Sequence, residues 1–282
     1  MDGQAKHAAA RFVERVGTWG SLEPPVARVV AAGYPGELAA LAAPLLDVPA
    51  REARTSIVYP QYGGLTPTAS SVMVLARQEL RSERGVQVRE VLLDVRLVRG
   101  AGGTWQVSST LDPPRPQLAP RRQGGPTALG RVVLDNLQLR ISEPARADIT
   151  DRRVGDPILA VLDALARTHI LQVQAFVSGH PGTVYPTTRV SNHAVGRAVD
   201  VRSIDGRPVI EIPRDDPILV ELMIAAAAAG ATEVGGPVPI AGRGFFTDGV
   251  HQDHLHLGIT PTKPPAAPAA APAIPATASA LR

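Results

Sequence analysis

The chain contains no cysteine. Disulfides and thiolate metal sites are excluded, so any metal must be held by His, Asp or Glu. Aromatic residues make up only 4% of the 282 positions, while Ala and Val are plentiful. That is the residue usage of a GC-rich genome and says little about function. No apolar run reaches the roughly 18 residues that a membrane-spanning helix needs. The start, "MDGQAKHAAARFVERV", lacks the apolar core of a signal peptide. If the protein is exported, its signal or anchor is absent from this sequence. A strong charge of one sign is also lacking: the net charge is +3, with Arg scattered rather than striped. Nucleic acid is therefore not an expected partner. A weak attraction to an anionic surface such as a bacterial wall is compatible with this charge.

What is present suffices for real cores. Hydrophobic residues are 44% of the chain, and 282 residues can form two ordinary domains. Two stretches read as unstructured. "DPPRPQLAPRRQGGP" (112–126) is rich in Pro and Gly and reads as an interdomain linker. "TPTKPPAAPAAAPAIPATASALR" (260–282) is Pro/Ala-rich and reads as a disordered tail or tether.

Before the linker, helical spacing covers residues 4–18 (Ala9, Phe12, Val13, Val16) and 36–47 (Leu38, Leu41, Leu45). The period then becomes strand-like in "SVMVLARQELR" (71–81), "VREVLLDVRLVRG" (88–100) and "GTWQVSSTL" (103–111). "GAGG" (100–103) predicts a hairpin turn. Helices followed by an antiparallel meander predict an α+β half with helices on a curved sheet. That pattern resembles the NTF2-like cone fold over about 110 residues. It shows no cluster of polar groups that would fill an active cleft, so a binding, spacing or dimerising role is expected.

After the linker, "GRVVLDNLQLRIS" (130–142) reads as strands. "DPILAVLDALARTH" (156–169) is an amphipathic helix with Asp156 as N-cap and Pro157 at its first position. A strand over 170–179 and a second Asp-Pro helix over 216–231 follow.

Six of the seven histidines lie between 169 and 256, three of them in "HQDHLHLGI" (251–259). In a strand, His254 and His256 share one face while Leu255, Leu257 and Ile259 point into a core. A second stretch, "SNHAVGRAVDV" (191–201), places Asp200 opposite Val199 and Val201. Gly196 permits a sharp bend that folds His193 back near Asp200. A buried carboxylate needs a partner. Together the two stretches supply His193, Asp200 and His256, and three protein ligands plus water is the open arrangement of a catalytic zinc.

The pattern H-x-x-G-x-A-x-D followed by H-x-H resembles the zinc D,D-peptidases of bacterial walls. These are the LAS-type metallopeptidases, which share a fold with the Hedgehog signalling domain. "SNHAVGRAVD" resembles the VanY-type D,D-carboxypeptidases, and "HQDHLH" is closer to the penicillin-insensitive murein endopeptidases. The resemblance covers residues 130–259 and implies a Hedgehog/D,D-peptidase-like α+β domain with a Zn²⁺ cofactor. The implied ligands are His193, Asp200 and His256. The implied base is His254, as in the endopeptidases, with Asp253 as its orienter or as the alternative base. Leu255 stands where the carboxypeptidases carry Trp, a departure from that branch. His180, in "SGH", and Arg189 are expected to bind a substrate carboxylate. His251 is expected to line the cleft, bind metal weakly or be solvated.

The implied activity is metal-assisted hydrolysis of amide bonds in peptidoglycan stem peptides, outside the cytoplasmic membrane. Carboxypeptidase and endopeptidase action both remain open. The alternative is a non-catalytic zinc-binding envelope module. The expected domain limits are 1–112, 113–126 (linker), 127–259 and 260–282 (tail).

Overall fold

The computed structural model describes residues 3–20, 23–111 and 114–261. Residues 262–282, most of the expected tail, lie outside the described residues. The chain is α+β, with one antiparallel and one mixed sheet. Among the described residues, no helix is long and apolar enough to cross a membrane.

The first half opens with α1 (Gly3–Gly17), α2 (Pro25–Ala31) and α3 (Ala39–Leu46). In α1, Ala5, Ala9, Phe12, Val13 and Val16 recur at helical spacing and are all buried. Four antiparallel strands follow in the order of the chain: β1 (Glu52–Leu65), β2 (Ala69–Ser82), β3 (Gly85–Arg99) and β4 (Trp105–Val107). The expected turn at 100–103 joins β3 to β4 and is closed by the Gly103 N–H donating to the Gly100 carbonyl at 2.9 Å.

The run "VMVLA" in β2 does not alternate in polarity, and the reason is visible in the packing. Val72, Val74 and Ala76 face the core that α1 and α3 cover. Met73 and Leu75 face the other way and are equally buried, against Leu92 and Ala175. A strand buried on both faces reads as a continuous apolar run. Each fully buried Leu or Met there contributes about 1.5–3 kcal/mol.

The second half contains α4 (Ala128–Asp135), β5 (Leu139–Ile141), α5 (Glu143–Thr150), α6 (Asp156–Leu165) and β6 (Leu171–Ala175). It continues with β7 (Ala198–Ile204), β8 (Arg207–Pro208) and α7 (Pro217–Ala228). The last elements are β9 (Glu233–Gly235), β10 (Phe245–Phe246) and β11 (Leu255–Gly258). The sheet order is β10-β9-β11-β7-β6-β5, with β8 paired to β7. Helices α6 and α7 and the inner face of this sheet share a second core, which includes Leu162, Leu222, Val199, Val201 and Leu257.

Two local expectations are corrected. The segment 130–142 is not all strand: its first part is helix α4, started by Thr127, whose Oγ1 accepts from the Gly130 N–H at 2.9 Å. Asp156 does not cap α6. The cap is Gly155, Asp156 is helical, and its carboxylate accepts from the Thr127 hydroxyl at 2.7 Å. In α7 the same Asp-Pro start does cap, with Asp216 accepting from the Ile218 N–H at 3.1 Å.

The expected linker is pinned along the second unit. Ala119 N–H donates to the Ala194 carbonyl at 2.6 Å and Arg122 N–H to that of Asp151 at 2.8 Å. Arg115 reaches Asp94 at 3.2 Å. Asp94 is fully buried and also accepts from Ser71 Oγ at 2.6 Å and from Arg96 Nε at 3.0 Å. The two halves are in close contact. Backbone N–H groups of Glu90 and Glu143 each donate to the other's carboxylate, at 2.8 and 2.9 Å. Gly64 lies so close to Tyr185 that a Cβ would meet the ring at 2.2 Å.

Candidate metal centre

Strands β7 and β11 pair antiparallel, with His256 directly opposite Asp200. Period-two alternation sends Val199, Val201, Leu255 and Leu257 into the second core. Asp200 and His256 are left on the other face, at the seam with the first unit. His193 arrives from the turn before β7. Gly196 closes that turn at φ +70°, and its N–H donates to the His193 carbonyl at 3.0 Å. Only glycine fits there, because a Cβ would lie 1.8 Å from the Arg153 carbonyl oxygen.

Three atoms converge. His193 Nε2 lies 3.1 Å from Asp200 Oδ1 and 3.1 Å from His256 Nδ1. The third edge, His256 Nδ1 to Asp200 Oδ1, is 3.4 Å. His193 Nδ1 is 2.5 Å from the Phe176 carbonyl. A carbonyl only accepts, so Nδ1 carries a hydrogen, and Nε2 is the ring atom left to ligate a metal between Asp200 and His256. Gln61 Nε2 donates to the other oxygen of Asp200 at 2.6 Å.

A further ring stacks on this group. His180 lies parallel to His193, with centroids 3.8 Å apart and planes 12° apart. His180, His193 and Asp200 form a buried group that could hold a metal ion. The His180 Nδ1, however, accepts from the Gly182 N–H at 3.2 Å, which puts the hydrogen of the neutral ring on Nε2, 4.0 Å from Asp200. That places a donor, not a lone pair, toward the carboxylate. Burial, reinforced by the stacked His193 ring, pushes His180 well below its ordinary value. A neutral His180 offers no charge to a substrate carboxylate.

Burial would raise Asp200, but the facing histidines outweigh it and hold the carboxyl well below its usual range. Burial likewise opposes the charged form of His256. Asp200 and Glu233 overcome that and raise His256 to about 9 in the metal-free site. Glu233 is in turn lowered to about 2, chiefly by His256. At 3.8 Å from His256 Nε2, Glu233 acts as a charge behind the ring.

His254 stands just before β11. Its Nδ1 lies 2.6 Å from Asp253 Oδ1, and its Nε2 lies 3.7 Å from Asp200 Oδ1. Asp253 is fully buried, and its oxygens are taken by His254, by the Tyr62 N–H at 3.0 Å and by Lys6. Burial opposes its charge, but His254 and Lys6 keep the carboxyl below its ordinary value.

A cleft of about 610 Å³ opens over these rings. His180, His193, His254 and His256 line it, together with Arg189, Asn192, Phe246 and His251. Asp200 and Asp253 lie behind this wall. His251 donates from Nδ1 to Asp248 at 2.8 Å and packs edge-on against Phe246. Burial lowers its tendency to charge, with Asp248 opposing. Arg189 is exposed at the mouth.

The sequence-predicted residues therefore fall in one place, with Asp253 behind His254 rather than on the cleft. Sequence reasoning missed Lys6, Gln61, Tyr62 and Glu233, which have no motif spacing relative to the histidines. No family model matches the chain, and no curated protein or solved structure matches it significantly.

Proposed function

We propose that this protein is a zinc-dependent peptidase that hydrolyses amide bonds in bacterial cell-wall peptidoglycan, as a D,D-carboxypeptidase or endopeptidase. One observation carries the reading: the triangle of His193 Nε2, Asp200 Oδ1 and His256 Nδ1, with edges of 3.1, 3.1 and 3.4 Å. Ligands about 2.0–2.1 Å from zinc in a tetrahedron lie about 3.3–3.4 Å apart. The triangle matches one face of that tetrahedron, and two imidazoles with a carboxylate are a fitting donor set. The substrate class rests on the resemblance of "SNHAVGRAVD" and "HQDHLH" to the wall peptidases. In this reading the second unit has the Hedgehog/D,D-peptidase-like architecture and the first the NTF2-like one. The protein would act outside the cytoplasmic membrane, where its substrate lies.

Zinc bound there would acidify a water and polarise the scissile carbonyl. The protein's own groups do the rest. The Phe176 carbonyl fixes the His193 tautomer. Gln61 occupies Asp200 Oδ2 and leaves Oδ1 for the metal. Glu233 sits behind His256 and orients the ring. His254, held at Nδ1 by Asp253, presents Nε2 to take a proton from the attacking water and pass it to the leaving amine. Arg189 and Asn192 flank the cleft, where the guanidinium suits a terminal carboxylate of the stem peptide.

The test is elemental analysis of the wild type, His193→Ala and Asp200→Ala, then muropeptide hydrolysis with a His254→Ala control. About one zinc per chain, lost in both ligand variants, supports the site. Folded wild type that takes up no zinc overturns it. Zinc without hydrolysis leaves a binding module.

A further inference from the structure

The first unit does more than lie beside the cleft. Lys6, in the first turn of α1, pairs with the fully buried Asp253 and is itself only 12% exposed. Its ammonium lies against two aromatic faces, 4.9 Å from the Tyr62 ring centre and 5.7 Å from that of Tyr59. A cation is stable so far from water only when paired in this way. The Tyr62 N–H shares Asp253 Oδ2 with Lys6, and the Tyr59 hydroxyl donates to the Asp253 carbonyl at 2.5 Å. These contacts leave Oδ1 for His254 Nδ1. A carboxylate held as an acceptor requires the hydrogen of a neutral His254 on Nδ1, which frees Nε2 toward the cleft.

We propose that Lys6 is a positioning residue for His254, and that the helix and edge strand of the first unit are a working part of the site. The inference rests on the reading of His254 as the proton carrier. The line runs from Lys6 Nζ through Asp253 to His254 and ends at the cleft. Residues at the far beginning of the chain thereby hold a group near its described end. The docking contact between Glu90 and Glu143 also joins the units but touches none of these groups.

The experiment uses the full chain loaded with zinc. It compares the wild type with Lys6→Met, Lys6→Gln, Lys6→Arg and, as a docking control, Glu90→Ala. Three quantities are read: zinc stoichiometry, kcat and KM on muropeptides, and the imidazole ¹⁵N spectrum, with His254 assigned by its loss in His254→Ala. Lys6→Met is expected to keep its zinc and a KM within about twofold. Its kcat falls about 10- to 100-fold, the scale on which groups behind metal-site residues act. Its His254 signals leave the single Nδ1–H form. Lys6→Arg recovers most of both. Lys6→Gln carries the same expectation if Lys6→Met does not fold. Wild-type kcat and an unchanged His254 tautomer in the neutral variants would overturn the proposal. So would losses seen only in thermal stability, as expected for Glu90→Ala. If the wild type hydrolyses nothing, the peptidase reading fails, and the tautomer alone decides the role of Lys6.

Discussion

Replacing Gly196 by Ala tests the bend that carries His193 back to Asp200. At φ +70° an L-residue is strained by about 1–2 kcal/mol. The new Cβ would also lie 1.8 Å from the Arg153 carbonyl oxygen and 2.9 Å from its carbon. Cβ atoms essentially never come closer than 3.0 Å, so the backbones must part by about 3.0 − 1.8 = 1.2 Å. That movement strains the Gly155 N–H to Gly196 carbonyl bond, now 2.8 Å, and the bond from Gly196 N–H to His193. Losing one or both costs about 0.5–1.5 kcal/mol each. The sum is a destabilisation of about 1.5–5 kcal/mol, with His193 displaced from its partners. Gly206 supplies the comparison, because it sits at φ +80° with nothing within 4 Å of a new Cβ. Gly206→Ala should cost only the conformational part, about 1–2 kcal/mol. Urea midpoints of both variants, with zinc stoichiometry measured alongside, give the answer. Equal losses of stability in the two variants, or normal zinc binding in Gly196→Ala, would refute the reasoning.

His254→Ala should retain zinc and lose about 10²- to 10⁴-fold in kcat, measured on muropeptides; loss of the metal instead would make His254 a ligand. His256 must be neutral to bind metal, yet it sits at about 9 in the metal-free site. Zinc uptake should therefore release a proton, and apparent affinity should rise about tenfold per pH unit up to about 9. Titration calorimetry in buffers of different ionisation enthalpy detects this, and a flat profile counts against it. The same raised value stabilises the metal-free fold fully below 6.5 and loses that contribution as pH climbs through about 9. The melting temperature of the metal-free protein should fall across that interval. Asp94→Asn leaves Arg96 buried without its carboxylate and should cost about 3–5 kcal/mol in urea denaturation. A change under 1 kcal/mol would mean that the pair is solvated.

The elements legible in the sequence were those with local causes. α1 announced itself through Ala9, Phe12, Val13 and Val16, all of which are buried on one face. The split of Asp200 from Val199 and Val201, and of His256 from Leu255 and Leu257, followed from strand period alone. β1 was hidden because "YPQYGGL" reads as punctuation. It is an edge strand that tolerates Pro60, and its register shifts between Ile57 and Tyr59 and between Tyr62 and Gly64. Segment 130–142 departs from the strand expectation because Val132 and Val133 suit a strand, whereas Thr127 caps a helix through them. The seam was not legible at all. Gln61 meets Asp200 across 139 positions, and no periodicity reports such a contact.

Strand β11 is the last strand of the described chain, yet it lies inside its sheet, hydrogen-bonded to β9 on one side and β7 on the other. Without β11 this sheet would be two pieces, β10-β9 and β7-β6-β5, each with an open rim. His256 arrives on that closing strand, with His254 just ahead of it. A chain halted or clipped before Leu255 would lack His256, the third proposed ligand, and would expose rims that invite aggregation. Order of synthesis then sets order of assembly: the proposed site gains its third ligand only when β11 docks between β9 and β7. Arrested chains of increasing length, challenged with protease and zinc, should show protection and metal uptake appearing together once β11 is free to dock.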